Sequence, residues 1–192
     1  MILYVIEMIG KKELLEKEVR KIKNCKACRV GKIGKAVPGE GNPNAKIVFV
    51  GEAPGKTESQ TGRPFVGRSG KFLRQLITQI GLKEKDVYIT SPVKYLPKRG
   101  TPSRSDINHG LTHLAKQLEI IKPELIVLLG NIAYKALIDK SASINKYHGK
   151  IIQKDKQKYF PTFHPAAGIR FQKIKKLILQ DFPKLKFIIH NS

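Results

Sequence analysis

The chain has 192 residues, 41% of them hydrophobic, which is enough for a packed core and too much for a disordered segment. Its 37 Lys and Arg against 15 acidic residues give a formal charge of +22, which excludes an acidic solvating protein and makes a polyanion the first partner to test. No apolar run approaches the length of a membrane span, residues 1–9 have no basic region before them as a signal peptide would, and two Cys three residues apart make no disulfide framework, so a cytoplasmic, reducing setting is expected.

Taken in chain order, Leu14, Leu15, Val19 and Ile22 have helical spacing and predict a helix over residues 11–24. A Gly-, Pro- and Asn-rich loop follows from Cys25 to Ala45. Lys46–Val50 reads as a buried strand ending at Gly51, and a Gly/Pro/Thr-rich stretch runs to Gly67. A helix over Phe72–Leu82, stopped by Gly81, leads to a second strand at Val87–Thr90. After the loop Ser91–Pro102 comes the clearest helix, with Ile107, Leu111, Leu114, Leu118 and Ile121 on one stripe, Ser103 and Asp106 as capping candidates and Pro123 as its stop. Glu124–Leu129 is a third strand, Ala133–Ile138 a short helix, Lys158–Phe163 a fourth strand and Ile169–Gln180 a last helix. Basic residues crowd the C-terminal end, where Asp155 and Asp181 are the acids after Lys140, and Glu does not rise with Lys as on a thermophile surface. A basic, nucleic-acid-facing side is the better reading.

Near-continuous apolar strands alternating with helices predict one domain over residues 1–192: a three-layer α/β/α fold around a central, mostly parallel four-stranded sheet. In such a sheet ligands bind outside the carboxyl ends of the strands. The residues there are Gly51-Glu52-Ala53-Pro54-Gly55, Ser91-Pro92-Val93-Lys94, Gly130-Asn131 and His164-Pro165-Ala166. One rim therefore gathers the unusual residues of the chain. A nucleotide-binding phosphate loop is a poor fit there, because Gly51 and Gly55 are one residue too close, Pro54 has no N–H to give, and no strand ends in an Asp for magnesium. Phe65, between glycines, is either a stacking platform or a local plug, and His164 is either a rim donor or a structural residue.

Gly51-Glu52-Ala53-Pro54-Gly55, Glu58, Gly62-Arg63-Pro64-Phe65-Val66-Gly67 with Gly70, Val87–Thr90, Pro123–Gly130, His148-Gly149-Lys150 and His164-Pro165-Ala166-Ala167 together resemble the family 4 uracil-DNA glycosylases, over about Cys25 to Arg170. The resemblance implies a hydrolase that flips deoxyuridine out of DNA and cuts its N-glycosidic bond. It implies that Phe65 is the wall on which the base stacks and that His164 donates to a uracil carbonyl. It places Glu52 beside the attacking water, with Glu58 as the other acidic candidate, and Gly51, Ala53 and Ser91 around the base. It makes His164–Arg170 a wedge into the duplex, with Pro165 and Ala166 in it and Arg170, Lys173 and Lys176 on phosphates. The implied substrate is uracil-containing DNA, single- or double-stranded, acted on by a monomer with no required cofactor.

Two positions depart from the family. Ser91 stands where an Asn amide is expected to read uracil, which opens two alternatives: a glycosylase for hypoxanthine or xanthine, or a DNA-binding module of the same fold with weak catalysis. The family's iron–sulfur cluster needs four Cys; Cys25 and Cys28 match the first pair, whereas Tyr95 and Gly110 stand at the others, so an ordinary cluster is not expected. Zinc at Cys25 and Cys28 with His109 and His113 has suitable spacing. The helical wheel argues against it: with Ile107 at zero, His109 falls near 200° and His113 near 240°, opposite the apolar stripe and so expected to face solvent.

Overall fold

The computed structural model describes residues 2–139, 141 and 143–190, with side chains from Gly10 to Ile189 at those positions. The elements run α1 (Ile2–Asn24), α2 (Lys26–Arg29), β1 (Lys32–Ile33), β2 (Glu40–Gly41), β3 (Ile47–Val50), α3 (Lys56–Thr61), α4 (Arg68–Gln79), β4 (Val87–Thr90), β5 (Leu96–Pro97), α5 (Arg104–Ile121), β6 (Leu125–Leu129), α6 (Asn131–Leu137), α7 (Ile144–Tyr147), β7 (Ile152–Lys154), β8 (Gln157–Thr162), α8 (Pro165–Arg170) and α9 (Gln172–His190).

The main sheet has the order β2-β4-β3-β6-β8-β7. Its inner four strands are parallel and are the four expected from the apolar runs. It has six strands rather than four, because β2 pairs antiparallel with β4 and β7 with β8 at the two edges. Neither edge strand carries an apolar run. β2 is two residues long, and its Gly41 lies so close to the Val87 carbonyl that a Cβ would collide with it. β7 is half-exposed and ends in Lys154, as a solvated edge does. Every residue of β3, β4 and β6 is buried, which accounts for their unbroken apolar runs.

The chain steps from β3 outward to β4, then back across to β6 and β8. Right-handed crossovers place α4 on one face and α5 and α6 on the other. The direction reverses at β3, so the crevice beyond the carboxyl ends of β3 and its neighbours is the expected ligand site. α5 begins as its sequence indicated. Ser103 is the N-cap and accepts from Asp106 N at 3.1 Å, while Asp106 accepts from Ser103 N at 2.9 Å, a reciprocal capping box. The last helix is longer than expected and broken at Phe171, giving α8 and α9 in place of one helix over Ile169–Gln180. Helix α9 runs through Pro183, and its fully buried Asp181 accepts from Thr162 Oγ1 at 2.7 Å and His148 Nδ1 at 3.0 Å, pinning it to the end of β8. Among the described residues no helix is long and apolar enough to cross a membrane.

Ser103→Ala removes one half of the capping box. Stability is expected to fall by about 1 kcal/mol in a denaturant titration, with an unchanged slope.

Candidate active site

The loops after β3, β4 and β8 enclose a cavity of about 300 Å³, at the small end of the range for ligand clefts. Glu52, Ala53, Glu58, Phe65, Ser91, His164 and Ala166 all line it. Gly130, after β6, lies beneath His164, where a Cβ would come within 2.9 Å of the His164 Cβ. The rim anticipated from strand ends is thus one site, to which each inner strand contributes.

Phe65 is its most constrained residue. Its backbone is left-handed, with φ +51, a conformation that non-glycine residues rarely adopt. Its ring lies against Gly51, where a Cβ would approach Cε2 and Cζ to 2.7 Å, so Gly51 is needed for close approach. Gly70 lies equally close under the Phe65 carbonyl, which also accepts from Arg74 Nε at 3.1 Å. The following turn is held by Glu58. This buried carboxylate projects from the first turn of α3, and its Oε1 accepts from Val66 N at 2.9 Å and Gly67 N at 2.7 Å. Arg63, before the turn, is tied by two hydrogen bonds to Glu40 of β2. Of the two acids in the first motif, Glu58 is therefore engaged with backbone. Among the described residues no hydrogen bond reaches the Glu52 carboxylate, and burial raises its pKa.

His164 caps α8. Its Nδ1 accepts from Ala166 N at 3.1 Å, so the neutral ring carries its proton on Nε2. Burial pushes the imidazole down to about 4, against a small opposing pull from Glu58. The ring centroids of Phe65 and His164 are 5.7 Å apart, with the planes tilted by 31°. The buried Ser91 hydroxyl donates to Val93 O at 2.8 Å, so in this arrangement it faces the cavity as an acceptor. The buried Lys94 holds the same loop, donating to Pro38 O at 3.0 Å, Thr90 Oγ1 at 2.8 Å and Gln117 Oε1 at 2.7 Å; burial brings its pKa down to about 7. Sequence reasoning put Lys94 at the rim but not in the interior, because a lysine in a polar loop gives no sign of burial.

The segment expected to act as a wedge is the helix α8, Pro165–Arg170, with His164 as its N-cap. Pro165 is buried at its first turn, while Ala166, Arg170, Lys173 and Lys176 are exposed. Phe171, at the break between α8 and α9, is 51% exposed, with the Arg170 guanidinium 5.2 Å from its ring centroid. The sequence reading passed over it as part of a continuous helix.

Cys25 and Cys28 lie outside this cavity, at the turn from α1 into α2. The expectation that His109 and His113 face solvent is corrected. Both α1 and α2 pack on α5, so the helix is covered on the side away from its apolar stripe. One donor atom from each of Cys25, Cys28, His109 and His113 falls within 4.8 Å of all the others.

The sequence pattern of the Uracil DNA glycosylase superfamily matches residues 38–185. A type-4 uracil-DNA glycosylase of Sulfurisphaera tokodaii is 41% identical over 183 residues, covering 90% of this chain and 83% of that one. One from Saccharolobus solfataricus is also 41% identical, over 91% and 84% of the two chains. One from Thermotoga maritima is 38% identical over 95% and 98%. The α/β fold and rim cavity define a ligand-binding doubly wound domain, and the chain belongs to the uracil-DNA glycosylase superfamily.

Replacement of Glu58 separates a structural from a chemical carboxylate. Glu58→Ala leaves two loop amides unpaired and is expected to cost about 2–3 kcal/mol in thermal or denaturant unfolding. Glu58→Gln keeps an acceptor oxygen and should preserve both fold and activity. A folded Glu58→Gln protein without activity would instead make Glu58 the reacting acid.

Proposed function

We propose that this protein is a DNA repair glycosylase that hydrolyses the N-glycosidic bond of deoxyuridine in DNA, releasing uracil and leaving an abasic site. The observation that carries the proposal is the convergence of Glu52, Phe65, Ser91 and His164 on one small cavity in a chain of this superfamily. The target nucleotide leaves the helix, because its glycosidic bond is out of reach inside the stack. The base stacks on Phe65. As the bond to the sugar lengthens, negative charge develops on the uracil ring, and the Nε2–H of His164 donates to a carbonyl oxygen. A neutral imidazole suits this role: it is a fixed donor that has no proton to lose to solvent at neutral pH. Glu52 is the carboxylate with no competing partner, and it positions the water that attacks the sugar carbon. The backbone of Gly51 and Ala53 frames the same side.

Ser91 accepts from the N3–H of uracil. Cytosine has a lone pair at that position, so an acceptor whose own proton is committed to Val93 disfavours it. Ser91 cannot supply the second hydrogen bond that an amide would. Uracil excision is therefore slower, and rejection of other bases looser, than with Asn. Arg170, Lys173 and Lys176 hold phosphates beside the exposed Phe171, which meets the gap in the base stack. These groups serve excision without a nucleotide or a divalent ion at the reacting bond.

The test is single-turnover release from oligonucleotides carrying one uracil, hypoxanthine or xanthine, read by alkaline cleavage of abasic sites. Uracil should be released. His164→Ala should slow the step by about 3–4 kcal/mol and Phe65→Ala by about 1–3 kcal/mol. Ser91→Asn should accelerate uracil and sharpen selectivity. Release of hypoxanthine or xanthine in preference to uracil selects the other base, and no release of any base at any protein concentration leaves a DNA-binding module.

The pH profile assigns the acid. Glu52 works as a carboxylate, and burial raises its pKa, so the rate should fall as pH drops through a value above the ordinary carboxylate range. His164 stays neutral down to about pH 4 and adds no limb near 6.5. Glu52→Gln should abolish the acid limb and lower the plateau. An acid limb that persists in Glu52→Gln assigns the ionisation elsewhere.

A further inference from the structure

The resemblance implies an iron–sulfur cluster on four thiolates, and the residues present do not fit one. Tyr95 stands at the third position, buried, with its hydroxyl donating to Lys23 O at 3.2 Å. Gly110 stands at the fourth and lies so close to the Pro92 carbonyl that a Cβ there would collide with it. No side chain, cysteine included, fits at Gly110 without moving the Pro92 loop.

The neighbouring turns of α5 carry a different donor set. We propose that Cys25, Cys28, His109 and His113 form a mononuclear, tetrahedral zinc site. Their spacing is Cys-x-x-Cys at the α1–α2 turn and His-x-x-x-His on α5, the latter putting both rings on one face of the helix. Cys25 is the N-cap of α2, and Cys28 N lies 3.4 Å from its sulfur, which orients the two thiols in one direction. Cys25 Sγ is 3.1 Å from His109 Nε2, a contact across 84 residues of chain. All four donor atoms fall within 4.8 Å of one another. A tetrahedron with zinc–nitrogen and zinc–sulfur bonds of about 2.0 and 2.3 Å has edges of roughly 3.3–3.8 Å, so closure needs at most about 1.5 Å.

A second observation points to the metal independently of that clustering. His113 Nε2 is buried and has no hydrogen-bond partner, alone in this among the buried side-chain nitrogens and oxygens of the described residues. Its other nitrogen, Nδ1, is 2.6 Å from Glu18 Oε1. A carboxylate only accepts, so Nδ1 carries the proton and the neutral ring turns an Nε2 lone pair inward. Glu18 is 4% exposed and reaches in from α1. A buried carboxylate behind a histidine whose far nitrogen is free is the arrangement that fixes the tautomer of a metal-bound imidazole.

The geometry also selects the number of metal ions. In a two-iron cluster held by two Cys and two His, the thiolates bind one iron and the imidazoles the other, so the iron–iron separation keeps the pairs apart. A sulfur and an imidazole nitrogen 3.1 Å apart converge on one ion instead. Two thiolates and two imidazoles suit zinc, a borderline-soft ion that accepts tetrahedral geometry. The ion would bind the end of α1 and the α2 turn to α5. It lies outside the cavity and takes no part in base excision.

The experiment measures metal by mass spectrometry in the purified full chain, then after chelation and titration with zinc or cobalt. One zinc per chain is expected. Cobalt should give sulfur-to-metal charge-transfer absorption and the strong visible bands of a tetrahedral ion. His109→Ala and Cys25→Ser, checked for folding by circular dichroism, should each weaken zinc binding at least 100-fold. Glu18→Gln keeps the packing and should weaken it about 10–100-fold. Zinc should raise the melting temperature of the wild type and not that of Cys25→Ser. A wild-type chain that binds no stoichiometric zinc or cobalt overturns the site, as does iron with acid-labile sulfide. Zinc retained at wild-type affinity in His109→Ala also overturns it.

Discussion

The left-handed backbone of Phe65 is the constraint around which the cavity is organised. Such a conformation costs on the order of 1–3 kcal/mol and persists only where its surroundings leave no alternative. Here the surroundings come from four directions. Glu58 ties down the two following amides, Arg74 holds the carbonyl, and Gly51 and Gly70 remove the Cβ atoms that would push ring and backbone away. The ring is thereby held at the same space that the end of β8 gives to His164. Several residues that read as a reaction motif are in physical terms the mounting of one aromatic ring.

The same enclosure acts in opposite senses on Glu52 and His164, two of the three ionisable groups that line the cavity. Exclusion of water disfavours charge, so the Glu52 carboxyl is raised and the His164 imidazole lowered. Neither has a strong ionic partner to reverse the trend. Among the described residues no Lys or Arg lines the cavity, although the protein carries +22. Arg170, Lys173 and Lys176 of α8 and α9 stay exposed on the outside, and on the proposed reading they would draw in a polyanion while the enclosed interior would give weight to one hydrogen bond to a charging base.

Much of this was legible in the sequence. Three of the four inner strands, β3, β4 and β6, are short, wholly buried runs, and the rule that ligands lie beyond parallel strand ends gathered Glu52, Ser91 and His164 before any distance was known. The edge strands were not legible, since β2 is two residues long and β7 is polar. The end of α9 was hidden by Pro183, which lies inside the helix rather than stopping it. The largest error was at His109 and His113. A helical wheel drawn from the stripe Ile107–Ile121 describes one buried side of α5. The opposite side is covered by α1, whose Leu15 and Ile22 are buried, and no periodicity within α5 reports a partner far away in the chain. The roles proposed for the cavity residues come only from the family resemblance. Periodicity could mark Phe65 and His164 as unusual and no more.

Lys94 shows which wall of the cavity is able to give. Its ammonium reaches Pro38, Thr90 and Gln117 at once, so the Ser91 loop is fastened to the segment before β2, to its own strand and to α5. Shifting that loop would strand a buried Lys94 amine without its acceptors, which is costlier than turning an exposed side chain. The opposite wall ends in α8, a helix of six residues that meets α9 at a break. The Ser91 loop is therefore a wall that cannot shift without losing all three of those hydrogen bonds.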